Sequence, residues 1–591
     1  MASDPDTNAF WARLGGRERA RRWLRTGGEV LGVAGGALAI VAVGFEHGPA
    51  TTSLLGGAMS VVAGVLALVW TVWLLAAPER RQAAQAHRGT TVGVPVLVGA
   101  LAAALLNAEV GYDLLAAALV GALVSVASRQ AYRLTQLRIP PEVVVLGLFA
   151  ALIAVGAGAL LLPRATAAPG SLAPLDALFM ATSAVSVTGL GVVPTAETFT
   201  ALGEGVLLVL IQVGTLGIVS TVVAGTVFFG GGYGIGTRAL LQDIWDTKTV
   251  GEVRQLVRQI VLLALAIEAV GAVGIYLTAD LTAVAGQADA TRLDRAYFAV
   301  FHAISAFCNA GFSTLSSSFA DPALATDVAF NLVAMALIVL GGLGFIVVRE
   351  TAMRLRTQKP GVQKYGVQVR LVWAMTGFLV VGGALFFFAT LRGSVLADLT
   401  TGEAWLAAVF QSMTARTAGF NTIDTGAIGG GALVVLMLLM LVGASPGSTG
   451  GGLRTTTVAV LALFTAAMLR GHSRVDLFGR TLTDATVQRA LVVVTVGLST
   501  VAVCTVALAL AEGVGTEGAP SLLDVAFEAV SAFATVGLSR GITGDLSAVG
   551  KGILIVTMFI GRVGLVALVV RLARTARTLP YRYPEDAVMV V

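Results

Sequence analysis

Four short stretches, each ending in glycine, recur between long apolar runs from residue 140 onward. They are Phe179–Gly189 (FMATSAVSVTG), Phe301–Gly311 (FHAISAFCNAG), Val409–Gly419 (VFQSMTARTAG) and Phe527–Gly537 (FEAVSAFATVG). The second and fourth align without a gap. The first keeps the Phe, the Ser-Ala and the Gly, while the third shifts its Phe by one place and inserts Arg416 before Thr417. Each has about 10 small and apolar residues, too few to cross a bilayer. A second glycine-bearing segment follows each one: Gly214–Gly217, Gly341–Gly344, Gly443–Gly447 and Gly561–Gly564. An internal repeat of this length constrains the architecture before any single residue does.

The chain is 56% hydrophobic and 12% charged, about half the charge of a soluble domain. It reads as a polytopic membrane protein. The net charge of +5 does not mark a nucleic-acid surface, because most Lys and Arg fall in alternate loops, the asymmetry expected of cytoplasmic loops. Cys308 and Cys504 lie in apolar runs without metal-ligand spacing and cannot form a disulfide framework. No cleavable signal peptide is evident.

The predicted class is all-α. An Arg-rich cytoplasmic N-terminus (1–28) precedes a four-helix transmembrane extension (29–138). Four repeats follow, at 139–236, 237–352, 353–472 and 473–575, with a cytoplasmic tail at 576–591. Each repeat reads helix, short re-entrant segment, helix, with outer helices near 142–162 and 200–229, 259–279 and 327–348, 370–391 and 430–469, and 490–511 and 549–571. The charge pattern puts both termini in the cytoplasm of a plasma-membrane protein.

Non-helical backbone at membrane depth is tolerated only where protein or a water-filled cavity covers it. Four half-helices around one axis would point their partially negative C-termini at a common centre, which favours a cation. The following residues would offer carbonyls in place of a hydration shell, and glycine permits the turn. Thr188, Asn309, Thr417 and Thr535 flank the turns. The competing reading is that small residues only pack helices.

The segments SVTGL (186–190), SAFCNAGF (305–312), TARTAGFNTID (414–424) and SAFATVGLS (531–539), with the tail YRYPEDAVMVV (581–591), resemble the Trk/Ktr/HKT superfamily of potassium transporters. The likeness is nearest to KtrB-type, TrkH-like translocating subunits, and it covers about 140–591. It implies a K⁺-binding selectivity filter of Val187, Thr188 and Gly189; Asn309, Ala310 and Gly311; Thr417, Ala418 and Gly419; and Thr535, Val536 and Gly537. It also implies homodimers in the lipid bilayer and a cytosolic, nucleotide-binding RCK ring of the KtrA or TrkA kind. No bound cofactor is implied for this chain beyond K⁺ or Na⁺. The alternatives are a Na⁺- or H⁺-coupled potassium symporter and a less selective Na⁺/K⁺ transporter.

The second helix of the third repeat is interrupted by Gly443, Ala444, Ser445, Pro446, Gly447, Ser448, Thr449, Gly450, Gly451 and Gly452. Interrupted helices point to transport sites, and the resemblance implies a gating loop here. Arg562 sits at a similar depth in the last helix. An intramembrane arginine is costly and needs water or a partner, and the resemblance makes it part of the gate. Arg416 is expected to brace pore segments, with Glu528 as a candidate partner. Asp176 and Asp524 are read as N-caps, and Glu268 as an intramembrane acid without an evident partner. The segment Thr237–Arg258 is a candidate docking loop. His302 is the only histidine at membrane depth, and no nucleophile–base pair or metal motif suggests an enzyme.

Overall fold

The computed structural model describes residues 141–564, except 169, 229–249, 285–286, 288, 358–364 and 473, and a few isolated positions between 31 and 65. The rest of the expected N-terminal extension, most of Thr237–Arg258 and the chain after 564 lie outside the described residues. Two compact units are present: Met1–Ile139 with Leu162–Gly170, and Pro140–Leu161 with Ser171–Val591. In the first, Pro163–Ala165 forms a 3-10 turn. The second contains all the repeated segments.

Its longer helices are α1 (Pro141–Leu160), α2 (Pro174–Ser186), α3 (Ala201–Phe228), α4 (Val250–Thr278), α5 (Arg292–Cys308), α6 (Val328–Leu343), α7 (Phe345–Thr357) and α8 (Val367–Leu391). They continue as α9 (Thr401–Thr414), α10 (Gly430–Leu441), α11 (Thr455–Leu469), α12 (Asp484–Ala511), α13 (Leu522–Ala534) and α14 (Ala548–Phe559), which runs into a π-helical turn at Ile560–Gly564. Among the described residues, three helices are long and apolar enough to cross a membrane, or four if α6 and α7 count as one bent span.

The four short segments form α2, α5, α9 and α13. Their starts are written locally. Thr291 with Asp294, Thr400 with Glu403, and Ser521 with Asp524 form reciprocal capping boxes, which satisfy orphan backbone donors. In α2, Pro174 occupies the first turn instead. Asp176 and Asp524 are therefore not N-caps. Both sit at the third helical position, where an acid also favours the helix dipole.

Each short helix packs on the first helix of its own repeat and on the second helix of the preceding one. Thus α5 meets α4 and α3, α9 meets α8 and α6, α13 meets α12 and α10, and α2 meets α1 and α14. The contact between α2 and α14 closes the set into a ring. Burial follows this arrangement: Phe179, Phe301, Phe410 and Phe527, the first phenylalanine of each of the four segments, are all fully buried.

Two expected continuous elements differ. The helix expected at 327–348 turns by 106° between α6 and α7, at Gly344, whose φ of 91° suits glycine. The stretch between α11 and α12, in a class expected to be all-α, contains a small hairpin, Asp476–Leu477 paired with Arg480–Thr481, so the unit is not wholly helical. Phe478 and Gly479 supply its two positive φ values, the requirement of a tight primed turn.

Candidate functional site

The ends of the four short helices share one unusual backbone pattern. Val187, Asn309, Thr417 and Thr535 adopt left-handed conformations, with φ of 57°, 57°, 70° and 51°. Three of the four are β-branched, for which positive φ is a true outlier. Two residues later come Gly189, Gly311, Gly419 and Gly537, with φ of 89°, 71°, 79° and 92°. Such strain costs about 1–3 kcal/mol for each non-glycine residue and concentrates at functional sites.

The glycines meet in cyclic order. A methyl group added at Gly189 would stand 2.3 Å from the Ala310 carbonyl oxygen, and one at Gly311 would stand 2.9 Å from that of Ala418. At Gly419 it would stand 2.4 Å from the Val536 oxygen, and at Gly537 2.3 Å from the Thr188 oxygen. Every glycine thus faces the carbonyl that precedes the next repeat's glycine. A pocket beside the ring is lined by Gly189, Gly311, Phe312, Ser313 and Thr195.

A serine or threonine fixes each turn, a role that the repeated Ser-Ala letters hinted at but did not specify. The Gly189 and Gly537 amides donate to the hydroxyls of Ser183 (3.1 Å) and Ser531 (3.2 Å). Ser305 donates instead to the Phe312 carbonyl at 2.8 Å, and Thr414 to that of Phe420 at 2.7 Å. The second glycines support the same turns from behind. A methyl group at Gly214, Gly341 or Gly561 would lie 2.1, 2.0 or 1.9 Å from the carbonyl oxygens of Val185, Phe307 and Phe533. Each of those carbonyls lies four residues before a ring glycine. In the third repeat this support is replaced, and Gly443 abuts the Gly451 carbonyl of its own loop.

That loop, Gly443–Gly452, lies against three repeats. The amides of Ser445 and Thr449 donate to the carbonyls of Gly342 (3.0 Å) and Gly341 (3.2 Å), and the Phe345 amide donates to the Gly447 carbonyl at 3.0 Å. A methyl group at Gly450 or Gly451 would come within 2.1 Å of the hydroxyl oxygen of Thr417 or Thr535. Both hydroxyls are buried without a hydrogen-bond partner. The Arg562 Nη1 donates to the Thr449 carbonyl, while its Nε and Nη2 have no partner. Arg454 Nη1 donates to the Gly450 carbonyl at 2.6 Å, a contact that sequence reading missed because Arg454 looks like the edge of a helix.

Other residues fall elsewhere. Arg416 is buried with Nη2 3.4 Å from the Thr376 hydroxyl, and it is not paired with Glu528. Glu528 accepts from Ser539 (2.6 Å), Thr543 (2.9 Å) and the Arg540 amide (3.1 Å). Glu268 does have a partner: the Gln212 Nε2 lies 3.0 Å from each carboxylate oxygen. His302 bridges the Phe298 carbonyl (2.9 Å) and the Ser313 hydroxyl (3.0 Å). Among the described residues, no group of three His, Cys, Asp or Glu could hold a metal.

Long apolar helices around a ring of four glycine turns define a helical membrane protein whose four short helices end at one centre. Residues 152–577 match the TrkH family, described as a cation transport protein, and the chain belongs to that family. It is 35% identical over 456 residues to the potassium/sodium uptake protein NtpJ of Enterococcus hirae, covering 76% of this chain and 97% of that protein. It is 36% identical over 416 residues to the Ktr system potassium uptake protein B of Vibrio alginolyticus, covering 70% and 87%. Among solved structures, the potassium transporter TrkH of Vibrio parahaemolyticus shares the fold, with a TM-score of 0.59, 18% identity and coverage of 88% and 98%.

Proposed function

We propose that this chain carries potassium into the cell through the centre of its glycine ring. The observation that carries the reading is the cyclic approach of Gly189, Gly311, Gly419 and Gly537 to the carbonyls of Ala310, Ala418, Val536 and Thr188. Backbone oxygens gathered at a narrow axis replace water around a cation, and the ends of four helices add partial negative charge. The names of the Ktr relatives support potassium as the ion. The name of the Enterococcus relative, a potassium/sodium uptake protein, supports a second reading, a less selective Na⁺/K⁺ pathway.

In this reading the Gly443–Gly452 loop is the gate. Its position against Thr417 and Thr535 would obstruct the axis, and the Arg562 charge would oppose a passing cation. At about 5 Å and an effective dielectric constant near 20, that repulsion is roughly 3 kcal/mol, over a hundredfold in rate. The loop is glycine-rich, and its contacts with the second and fourth repeats are a small number of individual hydrogen bonds, so a partner that breaks them could displace it. We assign that role to a cytosolic RCK ring bound to a homodimer. The names of the Ktr relatives, as lettered parts of a system, support a multi-component assembly.

Uptake of ⁸⁶Rb⁺ and ²²Na⁺ into proteoliposomes, with and without a Na⁺ gradient, tests the function. Rb⁺ uptake that is independent of the gradient supports a channel, whereas uptake that requires it supports symport. Absence of both fluxes from intact protein would refute the cation pathway.

A further inference from the structure

We propose that Glu268 is a positioning residue for the turn at the end of α5, acting through Gln212 and Cys308. The inference rests on reading the glycine ring as the cation path.

Glu268 lies within the apolar helix α4 and is 5% exposed. Besides holding both carboxylate oxygens at 3.0 Å, Gln212 accepts from the Cys308 thiol through Oε1 at 3.3 Å. The Cys308 sulfur is 3.9 Å from the Glu268 Oε1. The three side chains therefore join three elements: α3 of the first repeat, α4 of the second and the last residue of α5.

Both partners of Glu268 sit close to the ring turns in sequence. Gln212 is two residues before Gly214, which presses on the Val185 carbonyl at the end of α2. Cys308 directly precedes the left-handed Asn309, and Gly311 follows three residues after Cys308. The cluster thus ties the back of the Gly189 turn to the back of the Gly311 turn. A left-handed non-glycine residue persists only where its surroundings over-determine it, and a satisfied buried polar network supplies that rigidity.

The chemistry required is hydrogen bonding. Among the described residues no ion pair includes Glu268. Glutamine, of nearly the same shape, can accept from and donate to Gln212. Methionine fills the same volume but cannot, so it separates bracing from packing. A group that served only to fill space would tolerate the apolar isostere, as buried polar groups often do.

The test uses the full chain with Cys504→Ser, which leaves Cys308 as the sole cysteine. Labelling of Cys308 by a methanethiosulfonate reagent reports the turn, and ⁸⁶Rb⁺ and ²²Na⁺ uptake reports the ring. Glu268→Met and Gln212→Leu should each raise the labelling rate about tenfold and lower the Rb⁺/Na⁺ uptake ratio about fivefold, changes of the size one net hydrogen bond produces. Glu268→Gln should stay within about twofold of the parent in both. The proposal is overturned if Glu268→Met labels and selects like the parent, or if Glu268→Gln fails as severely as Glu268→Met. If the parent takes up no cation while the labelling pattern holds, the brace stands and the cation-path reading falls.

Discussion

Gly537 faces the Thr188 carbonyl so closely that a methyl group there would lie 2.3 Å from the oxygen. This contact joins the last repeat to the first, the one junction that chain connectivity does not impose. The Lys551 Nζ, 2.8 Å from the Asp176 Oδ1, spans the same junction. Both side chains are mostly shielded, at 15% and 19% exposure. Breaking the pair should cost about 1–2 kcal/mol, between exposed and buried cases. Lys551→Met should therefore lower the melting temperature, and it should do so less in an Asp176→Asn background. An equal effect in both backgrounds would show that the pair does not couple the repeats.

The hydroxyl braces give a second expectation. Ser531→Ala leaves the Gly537 amide without its acceptor, and an orphaned buried donor costs about 1–3 kcal/mol. The Rb⁺/Na⁺ uptake ratio should fall severalfold in Ser531→Ala and Ser183→Ala. Unchanged ratios in both would show that backbone packing alone holds the turns.

The four ring glycines were legible because the same letters recur at the same place in four segments. The turns they build were only partly legible. In the first repeat the left-handed residue is Val187 rather than the polar Thr188, since backbone position and not polarity selects it. The bend at Gly344 was hidden because GGLG reads as more of an apolar helix, and what turns the chain there includes the Phe345 amide's bond to Gly447. The expected pairing of Arg416 with Glu528 failed for a similar reason. Contacts at long sequence separation depend on how the folded elements are placed, and in the folded chain Glu528 is already satisfied by Ser539, Thr543 and the Arg540 amide. The second glycines were visible as a pattern, but their fit against the Val185, Phe307 and Phe533 carbonyls depends on how separate helices pack, which letter spacing does not encode.

The loop makes a third expectation. Deleting Ser445–Gly450 removes the backbone lying against Thr417 and the Thr449 carbonyl that accepts from Arg562. Rb⁺ uptake should rise several-fold, and Arg562→Ala should raise it less. Flux that stays level or falls in both, with intact protein in the membrane, places the barrier elsewhere.

Acidity provides a fourth. At the start of α13, burial raises the affinity of Asp524 for a proton, but its bonds to Ser521 and Arg540 outweigh this and hold its pKa below the usual carboxylate value. A depressed folded-state pKa adds stability that is present above the unfolded value, near 3.9, and is lost as pH falls through the folded value. Asp524→Asn should therefore lower the melting temperature at pH 7, with the deficit shrinking only below about pH 4. A deficit that vanishes already at pH 6 would contradict the assignment.

The central claim is that the four glycines form the cation path. Its most direct test is paired ⁸⁶Rb⁺ and ²²Na⁺ uptake by proteoliposomes holding the wild type, Gly311→Ser or Gly537→Ser. A side chain at either glycine meets a neighbouring carbonyl and adopts a φ of 71° or 92° that only glycine takes easily. The wild type should prefer Rb⁺, and each variant should fold yet lose that preference or its flux by about tenfold or more, the usual scale for losing about 1.4 kcal/mol at a selective step. Two well-folded variants that keep the wild-type flux and the wild-type Rb⁺/Na⁺ ratio would contradict the account.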